Sequence, residues 1–175
     1  MLFYTCLQVS RYPELASKVD AFFARVEARH GEYMKCNTGC SHCCHVRLSI
    51  TGIEAQAIRD AMVTWPASRA AALAKNVSIG PADRCAALDP NGRCLIYEVR
   101  PIVCRSHGAP IRMRDERSLP VVQSCPDNFT QKGPAAADAD CIIDQATLSA
   151  MTLAVDRDAG NDGTRFDLAA VLADV

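Results

Sequence analysis

Four cysteines and two histidines fall within ten consecutive residues, 36–45, which read C-N-T-G-C-S-H-C-C-H. The four thiols are those of Cys36, Cys40, Cys43 and Cys44. Packing of an apolar core does not require thiols at this density. Thiolate is the ligand that zinc, copper(I) and iron–sulfur clusters prefer, and short gaps let one turn of chain present two sulfurs to one ion. The segment therefore predicts a metal site to which other parts of the chain must contribute.

Six further cysteines are spread along the chain, which has ten in all. Cys6 and Cys141 stand in apolar surroundings, where buried free cysteines without special chemistry are common. A turn signal, Asp-Pro-Asn-Gly at residues 89–92, separates Cys85 from Cys94 and would bring their thiols together. Eight cysteines are thus the predicted metal ligands: Cys36, Cys40, Cys43, Cys44, Cys85, Cys94, Cys104 and Cys125.

Cys43 and Cys44 are neighbours in the chain, and neighbouring side chains diverge on a helix and on a strand. One ion is therefore hard to reach from both. This geometry favours two neighbouring metal centres, or one thiolate that bridges two metals. The alternative is a single centre that uses four of the eight thiols, with the others redox-active or idle.

Three histidines stand within three positions of a candidate cysteine: His42, His45 and His107. Imidazole is a sound ligand for zinc or iron. Because enough thiols are present without it, a supporting or surface role is the alternative for each histidine.

Two arginines, Arg100 and Arg105, flank Cys104. A thiolate-rich site carries negative charge that nearby cations and hydrogen-bond donors offset, and these guanidinium groups are well placed for that. Surface ion pairs with residues such as Glu98 are the alternative.

A first helix is predicted from Pro13 and Glu14, which suit a first turn, and from an apolar stripe at helical spacing. The stripe comprises Leu15, Val19, Phe22, Phe23 and Val26. The helix should end at His30 and Gly31, with Gly31 in the left-handed conformation. We expect His30 to be solvated or paired with the helix dipole, with a ligand role as the alternative.

Further helices follow along the chain. Thr51 and Glu54 match the capping-box pattern that opens a helix, which should end at Pro66. Residues 67–75 and 142–155 also have helical composition and spacing.

The connections carry shorter signals. Pro101 suits a helical turn that carries Cys104, and residues 125–128, Cys-Pro-Asp-Asn, are typical of a helix start. The charged residues 112–117 predict a solvated loop or hairpin tip, and residues 164–167 should cap a last short helix.

Composition sets the class of protein. The 175 residues are 49% hydrophobic and 22% charged, which excludes a disordered tail or a fibre. We expect a mainly α fold with a small β-hairpin and irregular metal-binding loops, forming one metal-stabilised domain over 1–175 with its core at 36–125. The formal net charge of −1 provides no general attraction to nucleic acid or to an acidic membrane surface.

The beginning of the chain has no basic segment ahead of a long apolar run, and no stretch is apolar for long enough to span a bilayer. We therefore expect a reducing cytoplasm, where clustered cysteines are ligands or redox groups rather than disulfides. A disulfide-stapled secreted protein is the alternative, and it would need an export signal.

The cysteine pattern resembles a known family. The spacing C-x3-C-x2-C-C at residues 36–44, the cysteine before a turn, the run I-Y-E-V-R-P-I-V-C-R at 96–105 and a later cysteine are similar to the YkgJ-like cysteine-cluster family. The first gap is three residues here, where many members have two. The resemblance implies zinc or iron binding. A related pattern in flagellin lysine methylases is thought to hold an iron–sulfur centre, so an iron–sulfur cluster is a further expectation.

These observations predict a cysteine-ligated metal-binding protein with a storage, sensing, delivery or structural role and a metal ion as its partner. An iron–sulfur redox enzyme, or a protein-modifying factor that uses the cluster, is the alternative. The glycine-rich dinucleotide motif, the phosphate loop and the H-E-x-x-H helix are all missing from the sequence. A thiol–disulfide switch at Cys40 and Cys43 is a third interpretation, although the surrounding βαβ pattern is missing.

Overall fold

The structure is a computed structural model, which describes residues 11–37, 39–79 and 83–174. It is mainly helical with two small sheets, and so confirms the predicted fold class. The helices are α1 (Tyr12–His30), α2 (Gly52–Val63), α3 (Ala67–Ile79), α4 (Ile102–Ser106), α5 (Gln145–Asp158) and α6 (Leu168–Ala173). The strands are β1 (Ser49–Thr51), β2 (Ile111–Arg114), β3 (Pro120–Gln123), β4 (Ile143–Asp144) and β5 (Arg165–Asp167).

Helix α1 forms as predicted, because a proline suits its first turn and apolar residues recur on one face. Two details at its end were predicted wrongly. Gly31 is right-handed, with φ −55°, because the chain continues into a 3-10 turn over Gly31–Tyr33. His30 is only 4% exposed, because it packs beside Phe129 with 5.8 Å between the ring centroids.

Helix α2 begins with the predicted capping box. The backbone amide and hydroxyl of Thr51 donate to the Glu54 carboxylate at 2.8 and 2.9 Å. The other Glu54 oxygen accepts the backbone amide of Ile102 at 2.9 Å, which joins the starts of α2 and α4. Helix α2 ends at Val63, and α3 runs to Ile79, beyond the predicted residue 75.

The predicted β-hairpin is present as strands β2 and β3, which pair antiparallel from Ile111 opposite Gln123. Residues 112–114 of the charged segment belong to strand β2, so the predicted hairpin tip begins only at residue 115. Strand β4 adds to the other side of β2 in parallel, and β1 pairs with β5 in a separate antiparallel ribbon.

The Cys-Pro-Asp-Asn segment is a turn and not the predicted helix start. The Asn128 amide donates to the Cys125 carbonyl at 2.9 Å and closes the turn. Phe129 then has a positive φ of 55°, and its amide donates to the Tyr33 carbonyl at 2.7 Å. A residue in that conformation cannot continue a right-handed helix, so the segment stops after one turn.

The last two helices begin later than predicted. Asp144 caps α5 by accepting the Thr147 amide at 2.8 Å, because residues 143–144 pair with β2 instead of entering the helix. Asp167 caps α6 by accepting the Ala169 amide at 3.0 Å. Thr164 is not the cap, because residues 165–167 are taken up by β5.

Three apolar clusters hold these elements together. The first joins α2, α3 and α6, and Cys85 and Cys94 pack against it. The second joins α1, α2 and α4. The third lies under the end of α1 and includes Phe129 and Cys141. Across the described ranges, no helix has the length and apolar character needed to cross a membrane.

Candidate metal centre

Segments from across the fold carry the eight candidate cysteines to neighbouring positions. Cys43 and Cys44 lie in a 3-10 turn, His42–Cys44, and the Cys44 carbonyl accepts the Cys85 amide at 2.7 Å. Cys104 lies on α4, and Cys125 follows β3. In the described part of the chain all cysteines are free thiols, so no disulfide is formed there. Cys6 lies outside the described residues.

The predicted reversal between Cys85 and Cys94 is present. Leu88 and Cys94 form an antiparallel bridge, and the Asp89 amide donates to the Arg93 carbonyl at 2.8 Å. At the tip, Gly92 has φ +76°, and a side chain there would meet the Gly39 carbonyl at 3.0 Å. Glycine is required at this position, because the reversal lies directly against the segment that carries the cysteine cluster.

Cys43 lies between two groups of thiols. Burial raises the pKa of Cys85, Cys94 and Cys104, and the charge of Cys43 raises each pKa further. On the other side, burial raises the pKa of Cys36 and of Cys125, and the charges of Cys40 and Cys43 add to both. By these electrostatic interactions, Cys44, Cys85, Cys94 and Cys104 fall into one set, and Cys36, Cys40 and Cys125 fall into a second. Cys43 interacts electrostatically with members of both sets.

The Cys43 and Cys44 sulfurs are 4.0 Å apart and form a hydrogen bond. This bond lowers the pKa of Cys43 to about 6, and the backbone, Arg100 and His42 contribute in the same direction. The same hydrogen bond raises the pKa of Cys44 well above its ordinary range, and burial adds to the rise. Ionisation of one of the two thiols is therefore favoured, because the remaining proton can be shared between the two sulfurs.

Backbone amides stabilise the ionised form of three other cysteines by hydrogen bonding. Each sulfur accepts a hydrogen bond from the amide two residues further along the chain, which lowers the thiol pKa and offsets part of the rise caused by burial. The pairs are Cys85 with Ala87, Cys94 with Ile96 and Cys125 with Asp127. Such donors reduce the charge density on a thiolate ligand, and they are typical partners of sulfur in metal sites.

Arg100 supplies a cation to the first set. Its charge lowers the pKa of Cys43, and it opposes the rise caused by burial at Cys94 and Cys104. The Arg100 side chain is 17% exposed and lies 3.6 Å from the Asp20 carboxylate and 4.1 Å from the centre of the Tyr97 ring. These contacts hold the guanidinium group beside the thiols.

Arg105 contacts the backbone and the same carboxylate as Arg100. It is buried and donates to the carbonyls of Arg100 and Glu98 at 2.8 and 2.7 Å and to the Asp20 carboxylate at 2.5 Å. The Glu98 carboxylate pairs with Arg69 at 2.6 Å. Both arginines thus form an ion pair, as in the alternative interpretation, but their partner is Asp20 and not Glu98, and both side chains are largely buried.

Asn128 is a residue at the site that sequence reasoning missed. It is 4% exposed, and its side-chain amide donates to the Cys36 sulfur at 3.1 Å. That hydrogen bond opposes the effect of burial on the pKa of Cys36. The adjoining Cys-Pro-Asp-Asn motif was the available signal, but its pattern suggested a helix cap.

The histidines lie at the solvent side. His42 Nδ1 is 3.0 Å from the Asp127 carboxylate, and His45 is exposed. Burial lowers the pKa of His107, and the charge of His42 lowers it further. A pocket of about 210 Å³ is lined by His42, Cys43, Val46, Val103, Cys104 and His107, among others. Two candidate ligands are thus reachable from solvent.

The donor set fits a thiophilic ion, although the sulfurs are not drawn together to bonding geometry. Two sulfurs bound to one tetrahedral zinc ion lie about 3.8 Å apart. All eight cysteines lie in the described part of the chain, and no three of them have their sulfurs within 4.8 Å of one another. An ion bound here would therefore pull the sulfurs inward, with the amides and Arg100 already placed to offset the thiolate charge.

A mainly helical framework that gathers thiols, amide donors and one guanidinium group defines a cysteine-cluster protein. A family model named CxxCxxCC, with the description "Putative zinc- or iron-chelating domain", matches residues 35–142, more than half of the chain. The chain belongs to this family, and the resemblance found in its motifs is confirmed. No curated protein and no solved structure matches the chain significantly.

Proposed function

We propose that this protein binds zinc or iron through its eight clustered cysteines, in two neighbouring positions that share Cys43. The single observation that carries the proposal is the position of Cys43, whose sulfur lies 4.0 Å from that of Cys44 and whose charge acts on thiols of both sets. The Cys43 and Cys44 sulfurs are close enough to bind one ion together, and the Cys43 thiolate could bridge from there to a second ion. Membership of a zinc- or iron-chelating family supports the same chemistry.

The surroundings of the thiols support an exchangeable ion. Structural zinc sites are closed by four protein ligands, whereas sites that exchange ligands keep an open side. Cys43 and Cys104 line a pocket that opens to solvent. We therefore favour metal storage or delivery over a purely structural role, in a reducing compartment such as the cytoplasm, where the thiols remain available.

Metal analysis of protein purified without oxygen tests this proposal. The wild type should carry bound zinc or iron. Cys43→Ser should lower the metal content of both positions, whereas Cys40→Ser and Cys104→Ser should each reduce the content of one. Cys6→Ser is the matched control and should keep the wild-type content. Full metal content in all three cluster variants would reject the ligand assignment.

A second candidate is a redox enzyme or protein-modifying factor with an iron–sulfur cluster. The observation in its favour is the same pocket, where two imidazoles stand beside Cys43 and Cys104 and a small reactant could approach a metal. Anaerobically purified protein would then be brown, and its visible absorption would bleach on reduction. A colourless protein that contains only zinc would eliminate this candidate.

A further inference from the structure

A separate group of metal-ligating side chains, which includes none of the eight cysteines, lies at the end of α1. It consists of His30, the last residue of α1, with Asp138 and Cys141 from the 3-10 turn Ala139–Cys141 and the residue before it. Their ligand atoms all lie within 4.8 Å of one another, and no other set of three in the described ranges meets that limit. The imidazole comes from one segment, and the thiol and the carboxylate come from another segment more than 100 residues further along the chain.

The fold holds these groups firmly together. Arg25 on α1 donates to the Asp140 carbonyl at 2.9 and 3.1 Å, and Arg29 donates to the Asp140 carboxylate at 2.7 Å. These bonds attach the turn to the last turns of α1. The Cys141 amide donates to the Asp138 carbonyl at 2.8 Å, which places both residues on the same side of the turn.

Burial and distance suit a metal ion better than a simple hydrogen bond. The His30 side chain is 5% exposed, and Cys141 is fully buried. The Asp138 amide donates to His30 Nε2 at 3.4 Å, and the Asp138 carboxylate lies 3.5 Å from the same nitrogen. Both distances are longer than an ordinary hydrogen bond, so a bound ion would replace only this weak bond as the partner of Nε2. A nitrogen and an oxygen that bind one tetrahedral zinc ion are about 3.3 Å apart, so the observed carboxylate distance leaves room for the ion between them.

We propose that His30 Nε2, Cys141 Sγ and the Asp138 carboxylate bind one zinc-class divalent ion, with water as the fourth ligand. The proposal goes beyond the cysteine-cluster function, because it uses none of the eight clustered thiols. Asp138 is exposed, so the ion and its water reach the site from solvent. The bound ion would fasten the end of α1 to the turn that precedes β4.

The charges around the site are compatible with a cation. One thiolate and one carboxylate balance the two charges of the ion. Arg29 lies 3.5 Å from the Asp138 carboxylate but makes its shorter contact, 2.7 Å, with Asp140. Asp138 can therefore turn toward the ion while the guanidinium group keeps a carboxylate partner.

Zinc stoichiometry of the full chain tests the proposal. Reduced protein is loaded with zinc without oxygen, desalted, and analysed for zinc per chain. Asp138→Ala and Cys141→Ser should each lose one equivalent relative to the wild type. Asp158→Ala is the matched control, because it removes a carboxylate of similar exposure at the end of α5 that is not a proposed ligand, and it should lose none.

The same measurements in a Cys43→Ser background separate this site from the cysteine cluster. If the cluster binds no metal at all, the one equivalent assigned to this site should still be present and should still depend on Asp138. Because Asp138 is exposed, its variant is expected to fold even if Cys141→Ser does not, which circular dichroism checks. Unchanged zinc content in Asp138→Ala, or an equal loss in Asp158→Ala, would overturn the proposal.

Discussion

Asn128 donates its side-chain amide to the sulfur of Cys36 across 3.1 Å, although 92 residues separate the two in the chain. The same amide group donates to the Gly108 carbonyl at 2.8 Å, and the side-chain oxygen accepts the Lys35 amide at 2.8 Å. Asn128 thus joins three segments at one candidate ligand.

Replacing Asn128 with alanine should affect both the thiol and the fold. Loss of the hydrogen bond should raise the pKa of Cys36, and the buried groups left without a partner should lower the free energy of unfolding by about 2 kcal/mol. Alkylation of Cys36 as a function of pH and urea unfolding measure these two effects. Asn37→Ala, at an exposed position in the same segment, is the control. An unchanged alkylation profile would contradict the assigned hydrogen bond.

Arg100→Met should weaken metal binding without removing a ligand. The guanidinium charge lowers the pKa of Cys43 and opposes the rise at Cys94, so its loss makes both thiols harder to ionise. We expect metal affinity to fall roughly tenfold, as is usual when a partner of a metal ligand is removed. Competition with a chromophoric chelator measures the affinity. Arg59→Met, which breaks an exposed ion pair with Asp174, should leave it unchanged.

Glu54→Ala should lower the stability of the protein and should also weaken the contact that positions the helix of Cys104. The buried carboxylate accepts amides from Thr51 and Ile102, and their loss should lower the free energy of unfolding by about 3 kcal/mol. Helix α4, which carries Cys104, begins at one of these amides. Urea unfolding and metal content provide the two readouts. Gln56→Ala, at an exposed position of α2, should alter neither, and a fully stable Glu54→Ala variant would show that the shared carboxylate is dispensable.

The metal-free protein should lose stability at alkaline pH. Burial raises the pKa of Cys94 from its ordinary 9.0 to about 11, and it raises the pKa of Cys104 as well. A thiol whose pKa is higher in the folded state stabilises that state fully below the unfolded pKa, and this stabilisation disappears as the pH rises through the folded pKa. The free energy of unfolding should therefore fall between pH 9 and about 11.

Urea unfolding under reducing conditions across this range provides the measurement. The variant with both Cys94→Ser and Cys104→Ser should show a smaller decline than the wild type. An equal decline in the two proteins would assign the effect to other groups.

Capping and turn signals predicted local structure well, because their partners lie a few residues away. The Thr51 and Glu54 capping box and the reversal between Cys85 and Cys94 are both present. The starts of α5 and α6 were predicted poorly. Strands β4 and β5 are only two and three residues long, and they exist because distant strands supply their hydrogen-bond partners.

The candidate ligands could be proposed from the sequence because thiols at such spacing have few other uses. Their surroundings could not. His30 was expected in solvent, yet the fold buries it beside Phe129 and close to Cys141. Asn128 was interpreted as part of a helix start, because its contact with Cys36 depends on the path of a segment far along the chain.

By itself, the order of residues determined the chemistry of this protein: its thiol donors, the helices that carry local caps, and its family. Only the tertiary structure decided which amides and which guanidinium group lie against the thiols. The physical reason is the distance along the chain over which each kind of interaction acts. Caps and turns depend on bonds within a few residues, whereas the surroundings of a sulfur depend on the packing of segments that the sequence keeps far apart.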